Sequence, residues 1–361
     1  MGPGDLQKMT CDLETPLGSR DAAVLVGTET GDDAGVYLLP SLVPGGGRSA
    51  TQETPSVGAA AAGGLALVQT ADYITPPFDD PESYGRIAAA NSLSDVYAMG
   101  GTPITALNLC VFPKDLDLQA ARAILQGAAQ KLKEAGAALL GGHTVRGPEL
   151  LFGLSVSGLV SPSHIWRNVG AQPGDVLLLT KPLGAGLIVT GCRKGLVSTA
   201  DQATCQRGLE QLNQAAAQTL ARFTVHAATD VTGFGLVGHA LGMTRRNDVS
   251  LQVHCAALPL YAGALALAEA GITCGGAQNN RRAYREQLGL CDPSGQPTEQ
   301  LLSAAYEELL FDPQTSGGLL CAVPEAEAEA ALAALMDAGV TAAWVGKVRA
   351  LAEKALLIVP R

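Results

Sequence analysis

Four acidic groups stand out in this sequence as candidates for chemistry. They are Gly31-Asp32-Asp33, Thr70-Ala71-Asp72, the pair Asn91 and Asp95, and Asp230 within Ala228-Thr229-Asp230-Val231-Thr232-Gly233-Phe234-Gly235. Each acid falls where a chain reversal or a strand end is predicted, the kind of position where binding residues concentrate. Asn91 and Asp95 lie four residues apart in a helical pattern, so both side chains leave one helix face and can share a ligand. Gly100 ends that helix and sets Asp95 near its negative pole, where a divalent cation would offset the repulsion. Asp72 follows the strand-like run LALVQT and precedes the rigid turn Tyr73-Ile74-Thr75-Pro76-Pro77. Asp230 stands ahead of an apolar helix whose open N–H groups suit a phosphate, with the acid itself suited to a metal. Taken singly, each has a plain alternative. Asp95 can be a solvated acid at a frayed helix end, Asp32 and Asp33 solvent-facing turn residues, and Asp230 a helix N-cap.

Two glycine-rich segments add weaker signals. Gly141-Gly142-His143-Thr144 follows a predicted strand, so its backbone can approach a nucleotide closely and His143 can donate to phosphate or ribose. Gly184-Ala185-Gly186 also follows a strand but lacks the third glycine of a dinucleotide fingerprint. No G-x-x-x-x-G-K-[ST] occurs, which excludes a P-loop.

The chain around these residues has 361 residues, 47 % hydrophobic and 16 % charged, enough for two domains with real cores. Its formal charge of −10, without a basic cluster, argues against nucleic acid and acidic membranes as partners. An acidic protein that handles a polyanion must recruit cations locally, and bound Mg²⁺ is the natural intermediary. The eight cysteines show no C-x-x-C pair and no metal-ligand spacing with histidine, so a zinc site is not expected and reduced thiols are. No run of 18 apolar residues and no secretory signal is present, and the expected location is cytoplasmic.

Hydrophobic patterning predicts strands at 34–39 and 65–70, flanking a Gly/Pro/Ser/Ala-rich insertion at 41–64. A helix over 82–99, a strand over 104–112, an amphipathic helix over 117–136 and strands at 137–140 and 150–160 follow. Beyond a connection at 161–172, a second unit starts at the turn Pro173-Gly174-Asp175 and the buried-strand run VLLLT. It alternates helices near 207–223, 234–245, 260–270, 299–310 and 324–338 with the strands LQVH, GGLLCAV, AAWVGKV and ALLIV. The expected fold is α+β in two domains, 1–165 and 166–361.

In order, the strings GDDAGVYLL, QTADYITPPFDDPESYGRIAAANSLSDVYAMGG, LLGGHTV, GDVLLLTKPLG, HAATDVTGFGLVGHA and FDPQTSGGLL resemble the selenophosphate synthetases, or selenide, water dikinases. These form a branch of the aminoimidazole ribonucleotide (AIR) synthetase-like ATP-binding superfamily. The resemblance runs from about Val26 to the C-terminus, interrupted mainly at the insertion, and TDVTGFGLVGH together with DPQTSGGLL points to the selenium branch. It implies an N-terminal α/β half that pairs through its sheet into a barrel-forming homodimer, an α+β C-terminal half, and ATP in a cleft at the dimer interface. The implied reaction converts ATP, selenide and water to selenophosphate, phosphate and AMP. By the same resemblance, Asp33, Asp95 and Asp230 would hold Mg²⁺, while Thr30, Gly31, Asp32, Asp72, Asp95, Gly141, Gly142 and His143 would contact ATP.

One departure stands against that pattern. The family carries a Gly-rich segment with Cys or selenocysteine followed three positions on by Lys, upstream of the region of Asp33, and no C-x-x-K occurs near the start of this chain. Three explanations stay open: a shortened N-terminus, a start assigned downstream of a selenocysteine codon, or substitution by Lys8 and Cys11 in reversed order. A superfamily kinase or synthetase that releases ADP, or a nucleotide-binding paralogue without turnover, are the alternative functions.

Overall fold

The computed structural model describes residues 23–27, 31–40 and 64–361. Among them the first layer is a six-stranded sheet. Its strands are β1 (Val24–Val26), β2 (Gly35–Leu38), β3 (Ala66–Ile74), β4 (Thr102–Phe112), β5 (Ala138–Arg146) and β6 (Leu151–Val160), in the spatial order β1-β2-β3-β6-β4-β5. All pairs are antiparallel except β4 with β5. β2 and β3 pair from Leu38 opposite Ala66 to Gly35 opposite Gln69, as expected of the strands flanking the insertion, whose residues 41–63 lie outside the described ones.

Two helices cover one face of this sheet, α1 (Pro81–Ala98) and α2 (Leu118–Ala135). Asp80 caps α1 by accepting from the Ser83 N–H, Pro81 fits the first turn where no N–H is needed, and Gly100 at φ +72° closes its end. The helices cross backbone to backbone. A Cβ on Gly85 would stand 1.9 Å from the Ile124 carbonyl oxygen, and one on Gly127 2.0 Å from that of Glu82. The strand period of two turns Ala66, Val68, Thr70 and Asp72 of β3 toward α1, and Leu67, Gln69, Ala71 and Tyr73 the other way. That other face is open: Tyr73, Ile104 and Leu107 are 55 %, 37 % and 44 % exposed.

The second layer is a seven-stranded sheet of β7 (Asp175–Leu179), β8 (Ala227–Asp230), β9 (Val249–His254), β10 (Leu288–Leu290), β11 (Leu319–Pro324), β12 (Ala343–Ala350) and β13 (Leu356–Val359), ordered β10-β13-β9-β12-β7-β11-β8. Its helices are α3 (Ala185–Arg193), α4 (Thr199–Glu210), α5 (Gln214–Leu220), α6 (Gly235–Met243), α7 (Ala264–Glu269), α8 (Gly275–Tyr284), α9 (Ala304–Phe311) and α10 (Glu325–Asp337). Both faces are covered. Val176 and Leu178 share a core with the α1 side of the first sheet, whereas Leu177 and Leu179 join a second core with α3, α6 and α9. The architecture is α+β, as expected.

Several local expectations are corrected. Strand β3 continues through Asp72 rather than ending before it, because Ala66 to Ile74 pair without a break with β6. The segment Gly141-Gly142-His143 is not a loop but the middle of β5, paired with Leu107, Asn108 and Leu109. The single helix expected near 207–223 is split into α4 and α5 around Asn213, and α3 and α8 form where no helix was expected. Asp230 does not open a helix. It ends β8, a strand too short to show periodicity, and α6 begins five residues later.

Candidate nucleotide and metal site

Side chains from both layers converge where the inner end of α1 meets β8 and the loop after α9. On the first layer, Thr70 donates to Asp95 Oδ2 at 2.5 Å and Asn91 donates to Asp72 Oδ2, so β3 and α1 hold one another through the acids they present. The predicted pairing of Asn91 and Asp95 on one helix face is therefore real, but each binds its own neighbour on β3. Across the gap, the Thr229 hydroxyl of β8 donates to Asp33 Oδ1 at 3.0 Å. Asn168 reaches the same turn, with its backbone N–H 2.7 Å from Asp32 Oδ1 and its amide 3.2 Å from the Gly31 carbonyl.

At this junction two carboxylate oxygens, Asp33 Oδ2 and Asp230 Oδ2, are buried without a hydrogen-bond partner, as are Glu308 Oε1 and Asp312 Oδ1 elsewhere in the second layer. A buried carboxylate oxygen left this way costs free energy unless something positive meets it. The electrostatics agree. Burial, then the charge of Asp230, holds both Asp33 and Asp95 well above the usual carboxylate range. Burial pushes Asp230 up to about 6, with Asp72 adding and the Ser94 hydroxyl and Lys181 opposing. Burial raises Asp72 too, against a hydrogen bond from Asn91. These acids lie within one another's fields. Even so, among the described residues no three His, Cys, Asp or Glu side chains stand close enough to form a ready ligand set. Carboxylates with unmet oxygens fit a hard, oxygen-seeking divalent cation such as Mg²⁺, which takes one or two of them together with substrate phosphates and water.

Residues not singled out from the sequence hold these acids in place. His239 of α6, pulled down to about 4 by burial, accepts the Thr232 N–H at Nε2 (3.0 Å) and lies 3.4 Å from Thr229 Oγ1 through Nδ1. Asn213 joins the layers by donating to Ser94 Oγ and to the Gly317 carbonyl, both at 2.8 Å. Ser316 donates its N–H to Asn91 Oδ1 at 2.9 Å. The string DPQTSGG carried a readable sign of this: two consecutive glycines ahead of an apolar strand mark a close backbone approach. A Cβ on Gly317 would meet the Val231 carbonyl oxygen at 1.8 Å, and one on Gly318 the Lys181 nitrogen at 2.3 Å.

The remaining candidates fall elsewhere. Gly141, Gly142 and His143 are exposed on the edge strand, separated from β3 by β4 and β6. At strand spacing that is about 14 Å, so within one chain they do not face the acids. The first two backbone N–H groups of α3, after Gly184, are already taken by Gln314 Oε1 and Asp312 Oδ2, which closes that helix end to a phosphate. Thr30, Lys8 and Cys11 lie outside the described residues. The seven described cysteines are all free thiols. No described helix is long and apolar enough to cross a membrane.

Two mixed sheets, each with its helices, correspond to the two domains of the proteins related to AIR synthase. The N-terminal domain model of the AIR synthase related proteins matches residues 31–160 and the C-terminal domain model matches 172–358, and the chain belongs to that family. Within it, the chain is 42 % identical to a selenide, water dikinase of Pelobacter propionicus over 96 % of its own length and 91 % of the relative's. It is also 42 % identical to one of Geobacter metallireducens, over 99 % and 95 %. In fold it resembles thiamine-monophosphate kinase from Stenotrophomonas maltophilia, with a TM-score of 0.63, 21 % identity, and 94 % and 92 % of the two chains covered. The hydrogenase maturation protein HypE in complex with ATP gives a TM-score of 0.58 at 20 % identity, over 85 % and 87 %.

Proposed function

We propose that this chain is a selenide, water dikinase that converts ATP, selenide and water to selenophosphate, AMP and phosphate. The observation that carries the reading is the 42 % identity that runs almost end to end with relatives of that name. The site is compatible with it, because it offers carboxylates and polar anchors for a triphosphate and no P-loop.

In this reading Asp33, Asp95 and Asp230 hold Mg²⁺, whose contribution is to neutralise the phosphate charge that builds up during transfer. Thr70 and Thr229 orient Asp95 and Asp33, while Asn91 fixes Asp72 as an acceptor for the nucleotide. Thr30, Gly31, Asp32, Asp72 and Asp95 contact ATP from the same chain. Gly141, Gly142 and His143 serve a second copy: they stand on the exposed edge of a sheet whose outer face is apolar and open, so a homodimer built on that face brings them to the partner's acids. The chain then divides into a nucleotide-binding and dimerising domain over 1–165 and a covering domain over 166–361. The free thiols suit the reducing cytoplasm.

³¹P NMR of the full chain with ATP, Mg²⁺ and selenide, kept anaerobic and reduced, tests this. Selenophosphate and AMP in equal amounts are expected, and ADP as the nucleotide product overturns the reading.

A further inference from the structure

Lys181 follows β7, is 3 % exposed, and forms no ion pair with any described residue. Its Nζ donates instead to neutral oxygens: the Gln211 carbonyl at 2.6 Å, the Ser316 carbonyl at 2.7 Å and, more distantly, Ser316 Oγ at 3.4 Å. A buried lysine amine spent on carbonyls is costly to keep and points to a task beyond packing. Ser316, its main partner, is fully buried and one of only two described non-glycine residues with a positive φ, at +47°. A serine in that left-handed region is strained and persists only where its surroundings hold it.

The strained residue is the link to the acids. In this conformation its N–H donates to Asn91 Oδ1, and the amide of the same Asn91 donates to Asp72. Next to it the Gly317 carbonyl accepts from Asn213, which also grips Ser94 one residue before Asp95, and the Gly318 carbonyl accepts the Val231 N–H one residue after Asp230. We infer that Lys181 is a positioning residue for the nucleotide site: it clamps the 314–318 loop in the strained form that fixes the spacing between Asp72 and Asp95 on one layer and Asp230 on the other. Lys181 touches neither nucleotide nor metal in this account. The inference rests on the nucleotide-site reading given above but not on the identity of the second substrate.

The test is calorimetric titration of the full chain with a non-hydrolysable ATP analogue and Mg²⁺, together with KM for ATP and kcat. Lys181→Met should weaken Mg²⁺-nucleotide binding by about tenfold or more, in the range seen when supporting partners of a ligand set are lost, and raise KM for ATP by a similar factor. The distinguishing readout is the double variant. Glycine adopts the left-handed conformation without strain, so Ser316→Gly added to Lys181→Met should recover part of the lost affinity. Binding by Lys181→Met equal to wild type, or a double variant no tighter than the single one, overturns the inference. Should Lys181→Met not fold, Lys181→Ala, which removes the donor with less bulk, is held to the same comparison. A wild-type chain that binds Mg²⁺-nucleotide yet makes no selenophosphate sinks the proposed activity, while the clamp is still judged by these variants.

Discussion

The two sheets treat their faces in opposite ways. In the seven-stranded sheet both faces are covered, and β7 is buried at every position. In the six-stranded sheet the α1 face is covered while the other exposes Tyr73, Ile104 and Leu107. An apolar face left bare beside a fully sandwiched one is what the proposed pairing of the first sheet with a second copy would cover. The acids lie on the sealed side of the first sheet, where it meets the second, so burial rather than exposure sets their charge state.

The comparison breaks first where the covered face depends on glycine. Gly85→Ala forces a methyl group onto the Ile124 carbonyl, and chemical denaturation should show a loss of about 3 kcal/mol, the upper range for overpacking. Next come the acids. Asp230→Asn and Asp95→Asn should each weaken Mg²⁺-dependent nucleotide binding by about 10- to 100-fold by titration calorimetry. Without metal, each should raise the melting temperature by a few degrees, because a like charge is removed from a buried cluster. Unchanged binding in both variants removes the metal assignment.

The open face gives a contrast of its own. Leu107→Glu should turn a dimer into a monomer by light scattering and weaken nucleotide binding as the partner's edge strand is lost. Met336→Glu, which charges a still more exposed apolar residue of α10, should alter neither. The smallest effect concerns Asp312, which burial pushes up to about 8 despite donors from Gln314 and Gly186. Because its pKa is higher folded than unfolded, the folded state binds the extra proton between pH about 4 and 8. Metal-free stability should therefore fall as pH rises through that window, and Asp312→Asn should remove about 1 kcal/mol of the decline between urea melts taken at pH 7 and pH 8.5.

The sequence was most legible where one physical rule acted alone. Helix α1 runs over Pro81–Ala98, close to the 82–99 expected from its helical pattern and the glycine that follows it. It was least legible where pairing with distant residues decided the outcome. Gly141-Gly142-His143 looks like a loop by glycine content, yet β4 draws it into the sheet; a Cβ on Gly142 would come 2.3 Å from the Asn108 carbonyl oxygen, so the glycine serves close strand approach. Strand β8 is four residues long and owes its existence to β11, some ninety residues later. Among the residues of the candidate site, the aspartates stand out by type and spacing. Lys181, Asn213, His239 and Ser316 do not, because their importance lies in which backbone group they reach, and only the folded chain determines that.

That late pairing of β8 has a consequence for how the protein is made. β8 has β11 as its one neighbour in the sheet, and the loop carrying Ser316 leads directly into β11. On a ribosome, residues 319–324 emerge long after the six-stranded sheet and its helices are available to fold. Until then Asp230 lacks the strand partner that holds it and Asn91 lacks its Ser316 donor. In the proposed reading, the nucleotide site is therefore assembled only once residues 314–324 have been made.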